Sequence, residues 1–261
     1  MSMQAQGTQN EILYAQLRDM MLRAERGMWS CTHFLSPREA RLSCDYVSCM
    51  GADVCCFTEG GYPDAERVRL FVLPDFMNDP VYFAPLAEQK LCLLRIGGGG
   101  FCTLTHRDYL GALLALGIER HVLGDVCVLD ASHALLVCDA DIAPFIRAEL
   151  VRVGKDGVKV ELLPWGTEIM LPERYKSVSD TVASPRFDCV AAALAGLSRE
   201  KAQMLIRAGE CTVEYEPCDK CDKIIDPPCV ISLRGYGKYR IDDLGTQTKK
   251  GRLRLLARKY I

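Results

Sequence analysis

The chain has 261 residues, of which 49% are hydrophobic and 25% charged, the balance of a folded globular protein rather than a disordered one. No run approaches the ~18 consecutive apolar residues of a membrane span, and the first residues are polar with no basic-then-apolar leader pattern, so the composition points to a cytoplasmic protein without membrane attachment. The net charge of −2 conceals a division: residues 1–183 carry 17 Lys or Arg against 24 Asp or Glu, whereas residues 184–261 carry 15 against 10. A polyanionic partner is therefore expected at the C-terminal end. The 14 cysteines fall mostly inside apolar patterns, as at Cys55, Cys56, Cys92, Cys127, Cys138 and Cys189, where a reduced thiol serves as a small hydrophobe.

In chain order, residues 11–28 place Leu13, Leu17, Met20, Ala24 and Met28 on one face, which predicts an amphipathic helix. Ser36-Pro37-Arg38-Glu39 is a capping box with proline at the first helical position. Residues 54–58 and 67–73 read as strands around a Gly60-Gly61 turn, with Arg67 and Arg69 on a solvated face. From residue 91 the pattern becomes regular: strand 91–96, the run Gly97 to Gly100, a second capping box at Thr105-His106-Arg107-Asp108, and a helix burying Leu110, Leu113 and Leu114 up to Gly117. Strands 125–130 and 133–138 follow with two residues between them. A helix from Asp141 then buries Ile142, Phe145, Ile146, Leu150 and Val153, and strand 158–163 closes the set. The order β-α-β-β-α-β is that of the ferredoxin-like or RRM-like plait. Its third strand, residues 133–138, holds no aromatic, which speaks against base stacking there and leaves a scaffold role or loop contacts.

Residues 166–183 read as a linker, with Gly166, Pro172 and a polar run. Ser184 then caps a helix that accepts Pro185 in its first turn and buries Phe187, Val190, Ala191 and Leu194, and Ser198 caps another that buries Ala202, Leu205 and Ile206 before Gly209. Arg199, Gln203 and Arg207 recur four apart and so share a face, with Lys201 beside them. Strand-like runs at 229–233 and 252–256 flank the glycine-punctuated loop Arg234-Gly235-Tyr236-Gly237-Lys238-Tyr239-Arg240. Residues 231–261 carry nine Lys or Arg against Asp242 and Asp243.

Arg186 before an Asp-containing helix, the pattern Ser-Arg-x-x-Ala-x-x-Leu-Ile-x-x-Gly from Ser198 to Gly209, a β-rich connection and the later Arg-Gly-x-Gly-Lys together resemble the S-four (alpha-L) RNA-binding domain. The resemblance implies RNA docking through Arg186, Ser198, Arg199, Lys201, Gln203, Arg207, Arg234, Lys238 and Arg240. Lys249, Lys250 and Arg252 extend the basic surface, and His106 and Arg107 form a second candidate contact at a helix start.

Over nearly the whole chain, Phe34-Leu35-Ser36-Pro37-Arg38-Glu39, the block Leu104-Thr105-His106-Arg107-Asp108-Tyr109-Leu110-Gly111-Ala112-Leu113, Leu116-Gly117-Ile118, Gly124-Asp125 and the C-terminal Thr248-Lys249-Lys250-Gly251-Arg252-Leu253-Arg254 resemble the YlmH family. That resemblance implies an α+β chain: an N-terminal helical and β-hairpin region (1–88), an RRM-like plait that binds RNA (89–165), the linker, and an S-four domain (184–261). It further implies a bacterial, non-enzymatic protein encoded near cell-division genes, a monomer that binds rRNA or tRNA on the large ribosomal subunit in the rescue of stalled translation.

Other motifs weigh less. Gly97 to Gly100 after a strand invites a dinucleotide or methyl-donor reading, but Cys102 stands where the third glycine belongs, and two residues cannot make the crossover such a fold needs. Cys218-Asp219-Lys220-Cys221, with Cys211 and Cys229 nearby, lacks a second close pair for zinc. His106-Arg107-Asp108 has none of a kinase's other parts, and Cys31 and His33 show no nucleophile spacing. No cofactor, metal or catalytic residue is expected. An RNA-modifying enzyme, of the pseudouridine synthase or methyltransferase kind, and a division-linked interaction protein are the alternatives.

Overall fold

The computed structural model describes residues 3–50, 53–168, 175–248 and 251–260, with side chains from residue 10 onward except at 246. It falls into two compact units, Met1–Pro172 and Glu173–Ile261.

The first unit opens with α1 (Met3–Glu25), which buries Leu13, Leu17, Met20, Met21 and Ala24 at helical spacing. Gly27 takes a φ of +82° just beyond its end, so Met28 falls outside the helix and is exposed rather than part of the apolar face. β1 (Ser30–Cys31) precedes α2 (Pro37–Cys49), where the expected capping box closes: Ser36 Oγ accepts from the Glu39 N–H at 3.3 Å, and the Glu39 carboxylate accepts from the Ser36 N–H at 2.8 Å. β2 (Val54–Glu59) and β3 (Arg69–Pro74) complete a small antiparallel sheet of order β1-β3-β2. α3 (Pro80–Lys90), capped by the Asp79 carboxylate, is a helix that the sequence pattern does not announce because Pro85 lies inside it.

All six residues of β3 are buried, Arg69 among them, and Arg67, which precedes the strand, is half-buried and bonded to backbone carbonyls, which overturns the solvated reading of both. The strand is central, with Leu70 and Val72 packed beneath α1 and α2 and with Phe71 and Leu73 against the next layer. Arg69 is consumed by its surroundings. Its Nε donates to the Thr32 carbonyl at 2.6 Å, Nη1 to the Lys90 carbonyl at 3.0 Å and the Asp139 carboxylate at 2.7 Å, and Nη2 to Cys31 Sγ at 3.1 Å. Arg67 donates to the carbonyls of Leu123, Phe34 and Arg120 at 3.0, 2.9 and 3.2 Å. Neither is free to meet a phosphate.

The plait follows in the expected order, except that its second helix ends at Glu149 and Val153 lies in a short added strand: β4 (Leu91–Gly98), α4 (His106–Ala115), β5 (Leu123–Val128), β6 (His133–Asp139), α5 (Ala143–Glu149), a short β7 (Arg152–Val153) and β8 (Asp156–Leu163). Its sheet, of order β5-β6-β4-β8-β7, is antiparallel throughout. On one face Leu94, Ile96, Leu136 and Cys138 meet Tyr109 and Leu113 of α4 and Ile146 of α5. Leu114 and Phe145, expected in that core, are exposed. On the other face Leu91, Leu93, Cys127, Leu135 and Val137 pack against Phe34, Phe71, Leu73 and Leu86 of the N-terminal layer. That is the face on which RRM-type plaits stack bases, and half of it is closed. Gly124 and Asp125 secure the closure. A Cβ at Gly124 would lie 2.7 Å from the Phe34 ring, and the Asp125 carboxylate accepts from the Tyr62 hydroxyl at 2.6 Å and the Glu66 N–H at 2.7 Å.

The second unit is a six-stranded antiparallel sheet with two helices on one face. Its elements are β9 (Tyr175–Val182), α6 (Phe187–Ala195), α7 (Arg199–Arg207), β10 (Cys211–Val213), β11 (Glu216–Pro217), β12 (Cys229–Leu233), β13 (Gly237–Gln247) and β14 (Leu253–Tyr260). The sheet order is β11-β10-β12-β13-β14-β9. Phe187, Val190, Leu194, Ala202 and Ile206 of the helices close over Ile231, Leu233, Tyr239, Ile241 and Leu255 of the sheet. Two expectations change here. Residues 175–182 of the presumed linker are an edge strand that pairs with β14 along its whole length. The presumed loop at 234–240 narrows to a tight turn, because Lys238, Tyr239 and Arg240 already pair with β12.

Candidate nucleic-acid interface

α6 starts two residues later than the sequence suggests. Arg186 rather than Ser184 is its N-cap, and it makes no side-chain cap bond. The first-turn donors are satisfied from elsewhere, with the Phe187 N–H reaching the Lys223 carbonyl at 2.8 Å and the Asp188 N–H the Cys221 carbonyl at 3.0 Å. This gives the Cys218-x-x-Cys221 segment a structural task, since its backbone caps the helix. Among the described residues no three His, Cys, Asp or Glu side chains gather as metal ligands.

The centre of the candidate site is Asp188, in the first turn of α6 and fully buried. Its carboxylate accepts from Gln203 Nε2 at 2.7 Å, Arg199 Nε at 2.9 Å and Arg186 Nε at 3.3 Å. Burial alone would push this carboxyl up, but the bonds from Gln203, Arg199 and Arg186 outweigh it and hold the group well below the usual carboxylate range. The spacing of α7 makes the cluster possible, because Arg199 and Gln203 are one turn apart on the face that meets α6. Both arginines are tethered through Nε only, and their side chains remain 40% and 54% exposed for Arg186 and Arg199. The Nη groups, which make no hydrogen bond among the described residues, form planar forks that suit phosphate oxygens.

The neighbouring predicted residues divide. Ser198 is an N-cap, its Oγ accepting from the Lys201 N–H at 3.3 Å, and the Lys201 side chain is exposed. Arg207 is exposed in the last turn of α7 with no partner among the described residues. The turn after β12 lies beside that helix end: the Arg234 N–H donates to the Glu210 carbonyl at 3.0 Å and its guanidinium stands 3.6 Å from the Glu210 carboxylate, 79% exposed. Arg186, Arg199, Gln203, Arg207 and Arg234 thus belong to the helices and the turn beside them.

Lys238 and Arg240 do not. They alternate with the buried Tyr239 and Ile241 and therefore face away from the helices. Lys238 Nζ lies 4.3 Å over the Tyr260 ring and 5.1 Å over Tyr215. Arg240 approaches Asp242 at 3.8 Å, and Arg258 grips the same carboxylate at 2.8 Å. Arg252 is occupied by the edge strand, donating to Thr181 Oγ1 at 2.9 Å and the Thr181 carbonyl at 2.5 Å. Lys249 and Lys250 lie outside the described residues. In the first unit His106 and Arg107 are exposed at the start of α4, where Asp108 accepts from the Thr105 N–H at 2.8 Å and its hydroxyl at 2.6 Å.

Asp188 is the member of this cluster that the list of cations misses. A charged residue inside the otherwise apolar stretch Phe187-Asp188-Cys189-Val190-Ala191, two positions after an arginine, is the signal that marks it.

A family profile described as "YlmH, N-terminal" matches residues 14–77, and one described as "Putative RNA-binding domain in YlmH" matches residues 88–167. The chain is 29% identical over 226 residues to "Ribosome-associated protein quality control protein P2" of Bacillus subtilis (strain 168), covering 86% of this chain and 84% of that protein. It shares its fold with the "Cell division protein ylmH from Streptococcus pneumoniae" at a TM-score of 0.50 and 18% identity, over 65% of this chain and 97% of that one. Two consecutive profiles of one family, a relative matched over most of both lengths and a solved fold bearing the same name agree with the motifs at Phe34, Leu104 and Gly124: the chain belongs to the YlmH family.

Proposed function

We infer that this protein is a ribosome-associated RNA-binding protein acting without catalysis of its own. It docks structured rRNA of the large subunit, or tRNA held there, through α7 and the turn after β12, as part of the handling of stalled translation. The observation that carries the reading is the buried Asp188 holding Arg186, Arg199 and Gln203 by one side while two guanidinium forks remain outward. The Bacillus relative's name supplies the ribosomal context, and the profile over residues 88–167 supplies the RNA.

The test is cosedimentation of the full chain with ribosomes. Bound fraction falls with salt, with a logarithmic slope of about 0.7–0.9 for each phosphate neutralised. Replacing Arg199 and Arg207 together by Glu abolishes cosedimentation. Because Arg199→Glu also takes a donor from the buried Asp188 and lowers the melting temperature, the companion double variant is Lys201→Glu with Arg207→Glu. Both residues are exposed, and this variant weakens cosedimentation at unchanged melting temperature. Undiminished binding by either double variant overturns the assigned face.

A further inference from the structure

The closed face of the plait has an open end. Along β4 the side chains on that face run Leu91, Leu93, Arg95, Gly97, and the covering layer reaches only the first two. Beyond them lies a groove of about 640 Å³ lined by Arg95, Gly97, Gly99, His133, Lys159 and Glu161, among others.

Its geometry follows from the sheet register. Gly97 pairs with His133 on one side and with Lys159 on the other, so at that level an imidazole and an ammonium flank a position with no side chain. The space matters: a Cβ at Gly97 would stand 3.2 Å from the His133 ring. One step along, Arg95 and Glu161 are paired across β4 and β8. Arg95 and Lys159 are both exposed and have no ion-pair partner among the described residues. His133 is oriented by Asp130, 2.9 Å from its Nδ1. At the lip, Phe101 is 89% exposed, and its ring lies over Gly99, where a Cβ would meet it at 3.0 Å.

An exposed aromatic ring beside unpaired cations around an empty slot is the combination with which proteins hold single-stranded nucleic acid, the ring stacking a base and the cations tracking the backbone. The geometry points to this end of the plait as a site for one or two unpaired nucleotides of an RNA strand, with Phe101 as the stacking surface and Arg95, Lys159 and His133 on the phosphates. The site needs no aromatic on the third strand. It gives the Gly97 to Gly100 run a task that is steric, since the N–H groups of Gly98 and Gly99 are already spent on the Ser132 and Gly157 carbonyls. The inference takes its kind of ligand from the RNA-binding reading but is independent of the Asp188 face.

The experiment is fluorescence anisotropy of the full chain with a labelled single-stranded oligoribonucleotide of about twelve residues, several site sizes long. Phe101→Ala weakens binding at least about fivefold, the lower end of what loss of one stacked base does. Arg95→Ala with Lys159→Ala weakens it about tenfold and lowers the salt slope by about 0.7 per charge removed. Arg199→Glu with Arg207→Glu leaves the oligonucleotide bound while ribosome cosedimentation is lost. Three results overturn the site: unchanged affinity in both groove variants at unchanged melting temperature, loss of oligonucleotide binding in the α7 variant alone, or displacement of the oligonucleotide by free adenosine monophosphate at equal concentration. The last would make the groove a mononucleotide site.

Discussion

Both units contain an arginine paired with a buried aspartate, and the two pairs do opposite things. Arg69 and Asp139, 2.7 Å apart, are both nearly sealed, at 6% and 11% side-chain exposure. Every nitrogen of Arg69 has a partner, drawn from β1, the end of α3 and β6. Arg199 and Asp188, 2.9 Å apart, bury only the acid, leaving the arginine 54% exposed. An enclosed arginine joins layers of a fold, whereas one anchored at Nε and open at Nη is aimed at something outside. A buried acid beneath a cation is thus no sign that the cation is unavailable; what counts is how many of its donors remain.

The strongest way to break this comparison is to remove the enclosed member. Arg69→Met leaves the buried Asp139 without its cation and the Thr32 carbonyl without a donor, a loss of about 3–5 kcal/mol. For a unit of this size that lowers the melting temperature of the first unit by roughly 10 °C. Calorimetry resolves this, and a shift no larger than that of Arg199→Met would show that enclosure makes no difference.

Asp188→Asn comes next. The amide oxygen cannot serve three donors, so Arg186 and Arg199 lose their common anchor at about 1–3 kcal/mol of stability, and cosedimentation with ribosomes weakens. The two effects separate by pH. The folded-state pKa of Asp188 is depressed, so its stabilisation is fully present above the ordinary carboxylate range and drains away as pH falls below about 4. Wild-type protein therefore loses its advantage over Asp188→Asn in acid, and a stability difference that stayed constant down to pH 3 would contradict the charged knot.

How much of this was legible in the sequence depends on where partners lie. The plait order was readable because two residues between strands 125–130 and 133–138 permit only a hairpin, and the helical hairpin was readable from its 3.6-residue apolar period. Arg67 and Arg69 were misplaced because alternating Arg-Val-Arg-Leu reads as a half-solvated strand, while the groups that enclose Arg69 lie up to 70 residues away. β9 was missed because Lys-Ser-Val-Ser-Asp-Thr-Val has too few apolar residues to stand out, as suits an edge strand. Lys238 and Arg240 were grouped with Arg199 by the resemblance to the S-four pattern. Only the start of β13 at Gly237 reveals that they project to the opposite face. Among the site residues the cations could be listed from sequence, and an acid inside the apolar start of α6 could be noticed there, but its role as their common anchor could not be read, because its burial is a property of the packed helices.

The smallest effect concerns a third arrangement, in which both partners are half-exposed. Asp242 bridges Arg258 and Arg240 on the outer face of the C-terminal sheet, with its own side chain 34% exposed. Pairs in such a setting contribute about 0–1 kcal/mol, so Asp242→Asn leaves the melting temperature within a degree or two. The variant also removes a negative charge from beside Arg240, Arg258 and Lys238, which makes it a sensitive probe of that face. If the outer surface touched RNA, removing the Asp242 charge would tighten ribosome binding and steepen its salt dependence. If RNA meets only α7 and the turn after β12, cosedimentation stays within about twofold at each salt concentration, because added charge on the far side of the sheet lies roughly a Debye length, ~8–10 Å, or more from the phosphates. The second outcome is expected, since Lys238 lies over the rings of Tyr260 and Tyr215 and Arg258 over that of Tyr175, so that one face of each ring is already taken by a cation.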